Sequence, residues 1–236
     1  MLLVHEKEFT LRESDFDCFD NLKASAVLDL FQTVASEHVT QNGGGFADML
    51  ARNLAWVVTK IRFEVFAPLR ASEKVTVKTV PHAKKLIEYT RDYYVIDKNG
   101  KTVIKGTSQW VLIDFTTRRV ARTDFDFDGE FSDEYAYPNE RIGKVPAVSS
   151  PELCRYDVKR ADLDHNRHVN NVRYLDMVFD AEPDPSLPAR SVLINYVEEV
   201  RDGETITVCG ADGIYTGFAN GKPRFSAEIT RAPYGE

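Results

Sequence analysis

Apolar residues along the chain keep two different spacings. In the first half, Val27, Leu30, Phe31, Val34, Ala35 and His38 fall on one stripe of an amphipathic helix. Gly43-Gly44-Gly45 stops that helix, and nothing around the three glycines matches a phosphate-cradling loop. After Asn53 the pattern changes to extended segments over Ala55–Phe66, Lys74–Val80, Ile87–Asp97 and Thr102–Asp114. Asn99-Gly100 is a strong hairpin turn between the last two. The second half repeats the scheme with shorter loops. A helix is expected from about Asn170 to Phe179, with Pro183, Pro185 and Pro188 beyond its end. Strands are expected over Val192–Val200, Thr205–Ala211, Ile214–Phe218 and Arg224–Arg231, punctuated by Gly203, Gly213 and Gly221.

The recurrence has the form of an internal duplication. Phe9–Phe31 laid over Tyr156–Val178, a shift of 147, puts Asp15 on Asp162, Asp17 on Asp164, Leu28 on Leu175 and Asp29 on Asp176. Each segment reads as a strand, an aspartate-rich turn and then a helix. At a second shift, Ile61-Arg62-Phe63 falls on Ile194-Asn195-Tyr196. One long helix followed by antiparallel strands, twice over, predicts an α+β protein. Its two antiparallel sheets should each wrap around a long, buried central helix. Thr123–Val148, rich in Asp, Glu, Gly and Pro, has poor strand alternation and should divide the halves. The expected organisation is an N-terminal unit over 1–125, a linker over 126–148 and a C-terminal unit over 149–236.

Composition narrows the function classes. The 236 residues suffice for one large domain or two smaller ones, and an apolar content of 43% is ordinary for a globular protein. No apolar run approaches the ~18 residues of a membrane helix, so no membrane association is expected. The opening Met-Leu-Leu-Val is followed at once by His5, Glu6 and Lys7, too short a run for a signal peptide, which suggests a cytoplasmic protein. A net charge of −7 argues against nucleic acid as the main partner. Cys18, Cys154 and Cys209 are too scattered for a disulfide framework or a zinc site.

The densest polar segment runs from Asp162 to Asn171 and holds His165 and His168, two of the five histidines. It directly precedes the second predicted helix. Unpaired N–H groups at a helix start can stabilise an anion, including the oxyanion of a tetrahedral intermediate. A neighbouring Asn or His can donate a further hydrogen bond, and a carboxylate can activate water. Other readings of these residues are weaker. His165 and His168 lack third and fourth metal ligands, so no metal is expected, and His165 suits the surface. Asp15 and Asp17 read as turn formers. Asp124-x-Asp126-x-Asp128-Gly129 begins like a calcium loop, but Tyr135 stands where a bidentate glutamate is needed, so it reads as an acidic linker. Lys84-Lys85 and Arg118-Arg119-Arg122 read as solvated faces, with docking of a small acidic protein as the alternative.

Asp164-x-Asn166-x-His168-Val169-Asn170-Asn171-x-x-Tyr174 resembles the signature of the acyl-acyl carrier protein thioesterases, double hotdog enzymes of plants and bacteria. Ser108-x-Trp110-Val111-Leu112 with Thr117-Arg118-Arg119 is similar to that family's strand and turn before its linker, and the resemblance extends from about Glu8 to Ile229. It implies a tandem (double) hotdog fold and a catalytic site of Asp164, Asn166 and His168. Tyr196-Val197-Glu198-Glu199-Val200 resembles the family's Tyr-x-x-Glu-Cys segment, which puts Glu199 in the catalytic glutamate's place. Val200 replaces the cysteine, so no acyl-cysteine intermediate is expected there. Across the repeat, Asn166 faces Phe19, His168 faces Asn21 and Glu199 faces Phe66. One reactive site, in the second half, is therefore expected, with the first half helping to form an acyl-chain pocket.

The function this implies is hydrolysis of fatty acyl-carrier-protein thioesters to free fatty acid and carrier. The carbonyl would sit by Asn166 and His168 at the helix start. Glu199, alone or with His168, would take a proton from water, and Asp164 would orient a neighbour. No cofactor is expected. The partner is an acyl carrier protein, and the chain is expected to be a monomer or a homodimer. An acyl-coenzyme A thioesterase and a non-catalytic acyl-thioester-binding hotdog protein are the alternatives.

Overall fold

The computed structural model describes residues 2–138, 140–182 and 187–234. Pro183 and Pro185, expected beyond the second helix, lie outside the described residues. In chain order the elements are β1 (His5–Thr10), α1 (Ala24–Gln41), α2 (Phe46–Ala51), β2 (Leu54–Val65), β3 (Lys74–Pro81), β4 (Tyr89–Ile96) and β5 (Thr102–Asp114). The second half supplies β6 (Glu152–Asp157), α3 (Arg173–Ala181), β7 (Ala189–Tyr196), β8 (Thr205–Ala211), β9 (Ile214–Ala219) and β10 (Lys222–Arg231). No helix among the described residues is long and apolar enough to cross a membrane.

The two expected sheets are present and share an edge. The strand order is β1-β3-β4-β5-β2-β7-β10-β9-β8-β6, one antiparallel run of ten strands in which the second five mirror the first five. The join is β2 on β7, where Ile61 stands opposite Ile194. These are the residues that the second repeat shift lays on one another, so the local two-fold relating the halves passes between them. The fold is the tandem hotdog that the resemblance implied.

Alternation builds the core. Ile61, Phe63 and Val65 on β2 and Tyr93 and Val95 on β4 point to the helix side. There they join Val27, Phe31 and Val34 of α1, and Leu175 and Val178 of α3, in a single core that spans both halves. Phe31 stacks on Tyr93 with ring centres 4.3 Å apart. Gly106 makes room for it, since a Cβ there would lie 2.5 Å from the Phe31 ring. The segment between β5 and β6 runs over the other sheet face. Ala136 N–H donates to Asp92, Val145 N–H to Asn195, and Tyr137 O–H to the Lys105 carbonyl.

Three elements differ from the sequence expectation. The helix α2 follows directly on the glycine loop, where only a loop was expected. The second helix begins at Arg173 rather than Asn170 and has nine residues against eighteen in α1. Asn170 forms a turn before it: its side chain accepts from Val172 N–H and its carbonyl from Arg173 N–H. Strand β7 ends at Tyr196 instead of Val200. Val197 and Glu198 both direct their N–H groups at the Arg224 carbonyl, which breaks the ladder and turns the chain away.

Candidate active site

Asp164 builds the turn that carries the polar motif. Its Oδ1 accepts from the N–H groups of Asn166 (2.8 Å) and His168 (3.2 Å), and its Oδ2 accepts from Asn166 Nδ2 (3.3 Å). Arg167 takes a left-handed φ of 62° to close the turn. Asp162 supports it from below, accepting from Lys159 N–H (2.8 Å) and from Tyr156 O–H (3.0 Å). The motif therefore stands on a hydrogen-bonded turn and not on a helix start, since α3 begins five residues beyond His168.

The break in β7 delivers Glu199 to this turn. Past Tyr196 the chain pairs with the motif instead of the sheet: Val169 N–H donates to the Val200 carbonyl (2.8 Å), and His168 bridges Arg201. Val200, fully buried, donates its N–H to Tyr174 O–H (3.2 Å) and occupies no reactive position. Glu199 Oε2 then lies 3.0 Å from His168 Nδ1. Arg201 Nη2 donates to Oε1 at 3.1 Å, and Arg118 Nη2 donates to Oε2. Burial lowers the His168 imidazole from its ordinary value. Glu199 and Asp164 pull it upward, and Arg201 and Arg118 lower it further. At neutral pH the ring is accordingly uncharged, and with Nδ1 toward Glu199 its Nε2 has no hydrogen-bond partner among the described residues.

All four expected residues, Asp164, Asn166, His168 and Glu199, line one cavity of about 1710 Å³. Its remaining wall comes largely from the first half: Ala35 and Val39 of α1, Met49 of α2, Trp56 and Val58 of β2, and Tyr89 and Arg91 of β4. Arg91 is buried there. Its Nη1 donates to Thr79 Oγ1 (3.2 Å) and faces His38 Nδ1 (3.1 Å). Burial, then the charges of Arg91 and His5, push His38 down to about 4, so it is a neutral acceptor. His165 is exposed and packs edge-on against Phe46.

Sequence reasoning missed Arg118, which it placed on a solvated face. The residue sits 81 positions before its carboxylate partner, on a turn after β5. The Thr117-Arg118-Arg119 string was the available signal, but nothing in it names a partner. Among the described residues there is no cluster of three or more side chains suited to a metal.

Two family descriptions match the chain: the acyl-ACP thioesterase N-terminal domain over residues 2–131 and the acyl-ACP thioesterase C-terminal domain over residues 147–229. Oleoyl-acyl carrier protein thioesterase 2, chloroplastic, of Arabidopsis thaliana is 30% identical over 76% of this chain and 54% of its own. Palmitoyl-acyl carrier protein thioesterase, chloroplastic, of Gossypium hirsutum is 25% identical over 90% of this chain and 54% of its own. The chain thus spans about half the length of the curated relatives it matches. Among solved structures, an acyl-ACP thioesterase from Bacteroides thetaiotaomicron superimposes with a TM-score of 0.87 at 22% identity, covering 96% of each chain. The 12:0-ACP thioesterase from Umbellularia californica gives 0.82 at 23% identity, covering 98% of each. At those identities the likeness shows a common fold.

Proposed function

Because this chain belongs to the acyl-ACP thioesterase family, we propose that it hydrolyses fatty acyl-acyl carrier protein thioesters to free fatty acid and carrier at the cluster of Asp164, Asn166, His168 and Glu199. The observation that carries this reading is the 3.0 Å approach of Glu199 Oε2 to His168 Nδ1 on the wall of a large, mostly first-half cavity.

In this reading His168 is the base. Both Glu199 oxygens are engaged, Oε1 by Arg201 and Oε2 by Arg118 and His168, so Glu199 orients the ring and Nε2 stays available. Nε2 takes a proton from water as the oxygen attacks the thioester carbonyl. The oxyanion forms against Asn166 Nδ2, whose other N–H is fixed by Asp164. The tetrahedral intermediate collapses, the C–S bond breaks, and His168 returns the proton to the leaving thiolate. The acyl chain lies in the cavity between α1 and β2. Val200 in place of cysteine accords with direct attack by water.

The test is release of free thiol from acyl-carrier and acyl-coenzyme A substrates by the wild-type chain and by His168→Ala and Glu199→Ala. Loss of most activity in both folded variants is expected. Wild-type turnover in both would remove the assignment, and no thiol release by the wild-type chain would favour a binding protein. A preference for coenzyme A substrates would select the other carrier.

A further inference from the structure

We infer that Arg118, contributed by the first half, is a positioning residue for the second-half site: its guanidinium fixes the Glu199 carboxylate so that Oε2 faces His168 Nδ1. The inference rests on the hydrolytic reading above and adds a part that the duplication argument denied to the first half.

Three observations carry it. Glu199 is the hub of the cluster, its side chain 26% exposed, while Arg118 is 41% and Arg201 65% exposed. The two arginines grip different oxygens, and the oxygen that Arg118 takes is the one that faces the imidazole. Without Arg118 the one cation left on the carboxylate among the described residues is Arg201, the more exposed partner, and the carboxylate is free to follow it toward solvent. Second, the turn that presents Arg118 is fastened. Arg118 has a left-handed φ of 57°, which a side-chain-bearing residue adopts only where its surroundings impose it. Asp114 accepts from Thr117 N–H (2.7 Å) and Asn53 Nδ2 (3.0 Å), and Thr116 O–H donates to Asn53 Oδ1 (2.8 Å). Third, Arg118 alone of Arg118, Arg119 and Arg122 lines the cavity, and the other two make no ion pair among the described residues.

A tie that merely joined the halves would leave the imidazole unaffected, so the test reads His168. The charged groups facing that ring are Glu199, Asp164, Arg201 and Arg118. In Arg118→Gln, kcat should fall on the order of 10- to 100-fold with KM almost unchanged. The acid limb of the rate profile should move to lower pH, because the Glu199 carboxylate, once released, no longer raises the His168 imidazole, and it raises it more than Arg118 lowers it. NMR of the imidazole nitrogens should show a single Nδ1–H tautomer in the wild-type chain and a mixture in the variant. Arg118→Lys keeps the charge and should hold the acid limb in place while recovering part of kcat. The inference is overturned if Arg118→Gln keeps the wild-type kcat, acid limb and tautomer. It is equally overturned if that variant only raises KM for carrier-bound substrate, which would make Arg118 a docking residue. Should Arg118→Gln fail to fold, Arg118→Lys decides alone: reduced kcat with an unmoved acid limb supports positioning, and full kcat refutes it. His168→Ala separates the two levels. Activity in it removes the hydrolytic reading, whereas an inactive His168→Ala beside a normal Arg118→Gln removes only this inference.

Discussion

Asp17 and Asp164 hold turns of the same shape, 147 positions apart. Asp17 Oδ1 accepts from the N–H groups of Phe19 and Asn21 at 2.9 Å each, as Asp164 Oδ1 does from Asn166 and His168. Lys23 N–H donates to the Asp15 carbonyl at 2.9 Å, and Asn170 N–H to that of Asp162 at 2.8 Å. Asp20 and Arg167 close the two turns with φ of 60° and 62°. The side chains they present are unlike: Phe19 and Asn21 in one, Asn166 and His168 in the other. Their surroundings also part. In the first half Phe66 N–H donates to the Val103 carbonyl, so the chain after β2 stays with β5. In the second half the break after Tyr196 carries Glu199 to the turn. The comparison teaches that the turn is a scaffold common to both halves, and that the second half differs in the projecting residues and in a neighbouring segment that leaves its sheet to bring a carboxylate to them.

The largest effect should come from making the active turn like the inert one. His168→Asn installs the residue that stands at 21 and removes the proposed base; kcat should drop by about 10²–10⁴-fold with the melting temperature nearly unchanged. Retained turnover would dissolve the functional contrast between the turns. Asn166→Ala removes the proposed oxyanion donor and should cost about 10²–10³-fold in kcat, read in the same thiol-release assay.

A smaller contrast concerns pH. Among the described residues, a buried histidine stands beside a buried arginine in the first half only. Folded His38 takes up a proton only near pH 4, whereas the unfolded chain does so from 6.5. Between those values the unfolded state binds more protons, so stability should fall as pH drops through this window, by at most about 3 kcal/mol. Denaturant melts across that range should show a shallower pH slope in His38→Gln than in the wild-type chain; equal slopes would refute the assignment. The smallest effect separates scaffold from chemistry. Asp17→Ala and Asp164→Ala should each destabilise the fold by about 1–2 kcal/mol. Only the second should lower kcat, and a comparable kcat loss in both would show that the first turn is not inert.

Much of this was legible in the sequence because period and turn chemistry are local. The strands Thr102–Asp114 and Thr205–Ala211 follow directly from their alternation, and the aspartate pairs announced both turns. What escaped was non-local. The end of β7 depends on a carbonyl of Arg224 on the neighbouring strand. Arg118 reaches Glu199 only because Asn53 and Asp114, far apart in sequence, fasten its turn. The motif named the four candidate residues that line the cavity; the geometry that brings them together came from pairings that no linear pattern encodes.

Joining β2 to β7 also settles where backbone is left open. Two separate five-stranded sheets would expose four edges, and the shared ladder leaves two, β1 and β6. Both are six-residue strands whose outward rows are charged, with Glu6 and Glu8 on one, and Glu152, Arg155 and Asp157 on the other. Short, charged borders repel a foreign strand. The central edges of the two halves are thereby spent on one another, and what the sheet offers to other copies of the molecule is a margin poorly suited to growth.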